Sequence, residues 1–118
     1  MKPATTYPAI VGCLLAAARK RKGMDQAKVA DAMGLSQASW SRIERGETAL
    51  SVDQLHRAAE VLGENTWEVL RSADAAVSGL KRDGVEVRSL RAEEAVQQGL
   101  VLIGFAALAI LVAKLISK

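Results

Sequence analysis

Residues 25–46, DQAKVADAMGLSQASWSRIERG, decide how the rest of the chain is read. Two short helices joined by a tight turn fit this stretch, one from Gln26 to Met33 and one from Gln37 to Arg45. Gly34 stands at the corner, where glycine most easily supplies a positive φ. Ser36 suits the N-cap of the second helix, because its hydroxyl can accept from a backbone N–H that has no partner inside the helix. Val29, Ala30, Met33, Leu35, Trp40 and Ile43 recur at helical spacing and give each helix one core face. The other face of the second helix carries Gln37, Ala38, Ser41, Arg42 and Arg45. That face is polar and short-chained with two guanidinium groups, a surface suited to base edges and phosphates.

Upstream, residues 1–8 read as an irregular arm. A helix starting near Pro8 or Ala9 and ending at Gly23 places Ile10, Val11, Leu14, Leu15 and Ala18 on one face. Its last turn is Arg19-Lys20-Arg21-Lys22, cations that complement a helix C-terminus or lie beside a phosphate backbone. Downstream, Ser51-Val52-Asp53-Gln54 has the form of a capping box. The helix it opens runs to Leu62, with Val52, Leu55, Ala58, Ala59 and Leu62 inward and Gly63 at its end. Asn65-Thr66-Trp67-Glu68 starts a fifth helix that turns Trp67, Val69 and Leu70 to the core and continues toward Leu80. Ser78-Gly79 and Asp83-Gly84 read as turns. The brief alternation Val85-Glu86-Val87 has no visible partner strand, so residues 76–88 read as a linker.

The 118 residues hold one modest domain and an appendage. Half of them are hydrophobic but only 3% are aromatic, so the core must be aliphatic and alanine-rich, which favours helices over sheet. A net charge of +3 suits nucleic acid or an anionic surface without specifying either. The single cysteine, Cys13, lies in an apolar run and reads as a small core side chain. His56 is the only histidine, so a metal site is not expected. No cofactor is expected. With no catalytic triad, Gly-rich phosphate loop or apolar acidic pair, neither is an enzyme. The N-terminus carries no secretory signal, broken as it is by Pro3 and Pro8 and followed by basic residues. The expected place of the domain is therefore the cytoplasm.

The tail differs from everything before it. Ser89 suits the cap of a new helix with Glu93 and Glu94 in its first turns. From Leu100 to Ile116 the sequence is LVLIGFAALAILVAKLI, with Lys114 its one charge. As a helix rising about 1.5 Å per residue it reaches about 26 Å, just short of a bilayer core of about 30 Å. It is apolar around its circumference, and Lys114 and Lys118 stand where they can reach headgroups. Gly99, Ala106, Ala109 and Ala113 form a stripe of small residues that permits close helix approach. The first reading is a membrane anchor at the inner membrane. The second is a soluble oligomerisation helix, and the third an unstructured or lipid-surface tail.

Residues 9–72 resemble the DNA-binding domain of the lambda-repressor/Cro family, often called the XRE family in bacteria and phages. The resemblance rests on Gln26, Ala30, Gly34-Leu35-Ser36, Gln37 and Ser41-Arg42-Ile43-Glu44-Arg45-Gly46, with Leu55-His56-Arg57-Ala58-Ala59-Glu60-Val61-Leu62-Gly63 as the fourth helix. It implies a five-helix domain that binds double-stranded DNA as a symmetric dimer, with the second helix of the motif in the major groove. Gln37, Ala38 and Arg42 would then face base edges, and Gln26, Ser41 and Arg45 would face phosphate. The family often pairs an arginine late in its first helix with a glutamate late in its third, here Arg19 and Glu44. Trp40 stands where the family usually has a smaller aliphatic residue, a departure expected to alter packing more than recognition. Ala38 is a minimal side chain for a reading position, so base preference there is expected to be loose or limited to contact with a thymine methyl.

The expected architecture is all-α: an arm (1–8), a helix-turn-helix DNA-binding domain (9–75), a linker (76–88) and a long C-terminal hydrophobic helix (89–118). The expected function is sequence-specific transcription regulation by a dimeric or higher homo-oligomeric repressor, tethered to the membrane if the tail spans it. The alternative is a membrane-anchored or oligomeric adaptor that uses the same domain to hold a protein.

Overall fold

The computed structural model describes residues 2–89 and 100–116. α1 (Tyr7–Arg21) begins where the Thr6 hydroxyl accepts from the Ala9 N–H, with Pro8 in the first turn, where a missing N–H leaves no bond unmade. α2 (Gln26–Met33) is capped by the Asp25 carboxylate, which accepts from the Lys28 N–H, and ends on Gly34 at φ 70°. α3 (Gln37–Glu44) starts at Ser36, whose hydroxyl accepts from the Ser39 N–H. Ser51 and Gln54 form the full capping box of α4 (Val52–Leu62). α5 (Thr66–Arg82) begins after Asn65, whose side chain makes no capping bond. α1 to α4 stand where capping and periodicity place them, α5 starts without the expected cap, and the described chain is mostly helical.

Ile10, Leu15, Val29, Trp40, Leu80 and Leu108 are fully buried at the centre. α1 crosses the end of α3 at Gly12, where a Cβ would run into the backbone carbonyl oxygens of Ile43 and Glu44. Glycine at this point is what lets the helix backbones approach so closely. Three residues expected in the core lie outside it. Val52 is 82% exposed, Trp67 61% and Leu70 36%. The buried face of α5 is Val69, Ala73, Ala76 and Leu80, and at 100° per residue Trp67 and Leu70 are rotated off that stripe. The Arg71 guanidinium instead lies over the Trp67 ring, 5.7 Å from its centroid. Ser78-Gly79, expected as a turn, is inside α5. Gly79 is the seat of Leu115, and a Cβ there would overlap that side chain.

The structure adds a small parallel sheet that the sequence does not suggest. β1 (Lys2–Thr6), expected as an irregular arm, is its central strand. β2 (Glu86–Arg88) pairs with it on one side, Ala4 opposite Glu86 and Thr6 opposite Arg88. β3 (Leu100–Leu102) pairs on the other, Lys2 opposite Leu100 and Ala4 opposite Leu102. The alternation at Val85-Glu86-Val87 thus marks a strand whose partner lies at the far end of the chain. Parallel pairing of such distant segments leaves no local turn signature to read.

The apolar tail is not one long helix. Residues 100–116 divide into β3, a break at Ile103-Gly104, and α6 (Phe105–Ile116). At 12 residues, α6 is about 18 Å long. Among the described residues no helix is long and apolar enough to cross a membrane, so the expected transmembrane helix is not supported. The physical reason is that part of the apolar run pairs as strand. Leu108 and Val112 on α6 are buried in the same core as α1 and α5, with Phe105, Ala109, Leu111 and Leu115 packed at its margin. Ala106 and Ala113 of the small-residue stripe are exposed, while Ala109 is half-buried. The helix expected after Ser89, with Glu93 and Glu94, lies outside the described residues, as do Gly99 and Lys118.

Candidate nucleic-acid interface

The outer face of α3 is held out from the core by the burial of Trp40 and Ile43 on its inner face. Gln37, Ala38, Arg42 and Arg45 are exposed, and Ser41 and Gln26 are half-buried. These six side chains line one open concavity of about 420 Å³. Five come from α3 and its cap, and the sixth, Gln26, reaches it from the first turn of α2. The grouping brings amide, hydroxyl and guanidinium groups together at one edge of the domain.

Both arginines are held by neighbours. Arg42 Nη2 donates to Ser39 Oγ at 3.1 Å, and Ser36 Oγ donates to the same oxygen at 2.9 Å. Arg45 Nη1 donates to Ser41 Oγ at 2.6 Å, and its Nε donates to the Glu47 carboxylate. That hydrogen bond holds the Glu47 carboxyl below its usual range and raises Arg45 further above neutrality. A carboxylate therefore stands beside one of the residues expected to meet phosphate.

Behind the concavity lies a buried polar centre. Glu44 is 2% exposed and its carboxylate takes four donors. Arg19 gives Nε to Oε2 at 2.7 Å and Nη2 to Oε1 at 3.1 Å. Gln26 Nε2 gives to Oε1 at 2.9 Å, and the indole Nε1 of Trp40 gives to Oε2 at 2.6 Å. Arg19 also donates Nη1 to the Met24 carbonyl at 3.0 Å, so its fork bridges α1, the turn before α2, and α3. Among the described residues no buried side-chain nitrogen or oxygen lacks a partner. Elsewhere, His56 meets Thr66 Oγ1 at 3.1 Å on the surface, and burial pushes the Cys13 thiol up to about 11.

A family model described as a helix-turn-helix domain matches residues 10–73, more than half of the sequence. The chain belongs to the helix-turn-helix domain family. Two solved structures of the clp gene regulator ClgR from Corynebacterium glutamicum are similar to it. One has a TM-score of 0.57 at 27% identity and covers 59% of this chain and 91% of that one. The other has a TM-score of 0.60 at 24% identity over 79% and 88%, a likeness of fold. No curated protein matches the sequence.

Reading the helix-turn-helix from sequence misses three participants. Ser39 stands three residues before Arg42 and Trp40 four before Glu44, spacings that put each pair on one side of a helix. For these two the signal is present in the sequence. Trp40, expected to act through packing, also gives its N–H as one of the four donors on Glu44. Glu47 lies beyond the end of α3, where no helical period places its side chain, and only the turn at Gly46 brings it to Arg45.

Proposed function

We propose that this chain is a DNA-binding transcription regulator whose α3 reads a duplex in the major groove. The observation that carries the reading is the concavity shared by Gln26, Gln37, Ala38, Ser41, Arg42 and Arg45, in a chain of the helix-turn-helix family. Gln37 offers adenine a bidentate amide and Arg42 offers guanine a bidentate fork. Ala38 contacts a thymine methyl. Gln26, Ser41 and Arg45 hold phosphates and set the register of α3 without carrying sequence information. The similarity to a clp gene regulator supports regulation of transcription as the outcome. The protein acts in the cytoplasm as a homodimer on an inverted repeat and represses by occluding a promoter. It has no enzymatic role.

The test is selection of bound duplexes from a random pool, using the whole chain. Truncation after Arg88 would remove β3 and α6, and with them Leu108 and Val112, uncovering the core that these two side chains close. The expected result is a palindromic consensus whose binding weakens steeply with salt. If no salt-dependent duplex binding is found, the domain is a protein-binding module instead.

A further inference from the structure

We infer that Trp40 is a positioning residue for DNA binding, acting through the Glu44 carboxylate on the side-chain amide of Gln26. The inference rests on the proposed role of Gln26 at phosphate and goes beyond it by assigning what aims that amide. Glu44 offers about four lone-pair sites, and four donors fill them. Arg19 supplies a fork from α1, Gln26 one N–H from α2, and Trp40 one N–H from α3 itself. Trp40 and Glu44 belong to the same helix, one turn apart, so the indole ties the carboxylate to the helix that does the reading. An ionised carboxylate only accepts, which compels the Gln26 amide to present its nitrogen to Oε1 rather than its oxygen. The amide is thus kept in one of its two flipped orientations, with its second N–H left for an anion at the concavity that Gln26 lines.

Trp40 is fully buried and lines none of that concavity, so any effect it has on DNA must be relayed. Removing the indole N–H leaves Oε2 with Arg19 alone. With one restraint on Oε2 gone, the carboxylate is free to swing within the Arg19 fork and carry Oε1 away from Gln26.

The test is a double-mutant cycle on the full chain, with duplex affinity and thermal stability measured for Trp40→Phe, Gln26→Ala and the pair. Expected is a loss of about three- to tenfold in affinity for Trp40→Phe, the worth of one hydrogen bond, on selected and unrelated duplexes alike. The pair should bind no worse than Gln26→Ala alone, and the salt slope should not change, since no cation is lost. A purely structural role lowers the melting temperature but does not make the loss in binding depend on Gln26. Should Trp40→Phe fail to fold, benzothienylalanine placed at position 40 keeps the bicyclic shape and lacks the N–H. Wild-type affinity in the variant lacking the N–H, losses that simply multiply in the pair, or no effect of Gln26→Ala would each overturn the inference. A wild-type protein that binds no duplex at all overturns the functional reading beneath it instead.

Discussion

Trp40 and Glu44 stand one turn apart on α3, and the indole N–H donates to a carboxylate that is 2% exposed and also takes the fork of Arg19. With the Gln26 amide from α2, one side chain collects donors from three helices. Removing a single partner leaves buried charge without compensation. Arg19→Ala or Glu44→Ala should destabilise the domain by about 3–5 kcal/mol, whereas Arg19→Met with Glu44→Leu should lose less than the sum of the two single changes. Urea unfolding followed by tryptophan fluorescence, to which the buried Trp40 and the exposed Trp67 both contribute, measures all of these.

Arg42 and Arg45 should fail in different ways. On the proposed reading Arg42 faces a base edge, so Arg42→Ala should cost about 1–3 kcal/mol on the selected duplex and relax preference at one base pair. Arg45→Ala should weaken every duplex similarly and reduce the salt slope by about 1. Titrations of both variants at several salt concentrations separate the two. Equal losses on all sequences for Arg42→Ala would refute base reading by that side chain.

In the proposed complex Glu47, which holds Arg45, would compete with phosphate for it and place a like charge near the DNA backbone. Glu47→Gln should tighten binding to all duplexes by about threefold or more at low salt, with the gain fading as salt screens it. Weaker binding would instead mean that Glu47 serves to aim Arg45.

Gly12 sets how closely α1 can approach the end of α3. Gly12→Ala drives a methyl group into the carbonyls of Ile43 and Glu44, which are backbone and cannot swing aside. A loss of about 1–3 kcal/mol or more is expected, against the small gain alanine usually brings inside a helix. Thermal melts of the variant decide the sign.

Alkaline pH should weaken the fold through Tyr7. Burial, then its hydrogen bond to Asp74 Oδ1 at 2.8 Å, raises the phenol from 10.0 to about 12. The folded state holds this proton more tightly than the unfolded state. The contribution is complete below pH 10 and is lost as the pH rises toward 12. Tyr7→Phe should flatten that part of the fall in melting temperature and leave the part due to Cys13, which titrates from 9.0 toward about 11. An unchanged profile would show that Tyr7 is not the group responsible.

What can be read directly from the sequence is what is local. Asp25, Ser36 and Ser51 cap helices because each side chain needs only an N–H three residues on. Gly34 ends α2 because the left-handed turn is written in one residue. Five of the six concavity residues share one face of α3 and its cap by helical period alone, while Gln26 needs the family resemblance to join them. The tertiary structure alone decides the rest. β1 finds its partners at residues 86–88 and 100–102, pairings that no local pattern encodes. The tail is apolar on every side, and the choice of Leu108 and Val112 as its buried face, with its first residues used as strand, comes from the surface that α1 and α5 leave open. At the site, the period of α3 decides which side chains look outward. What they hold depends on more than that period: Arg45 holds Glu47 across the local turn at Gly46, and Gln26 holds Glu44 only because α2 packs against α3.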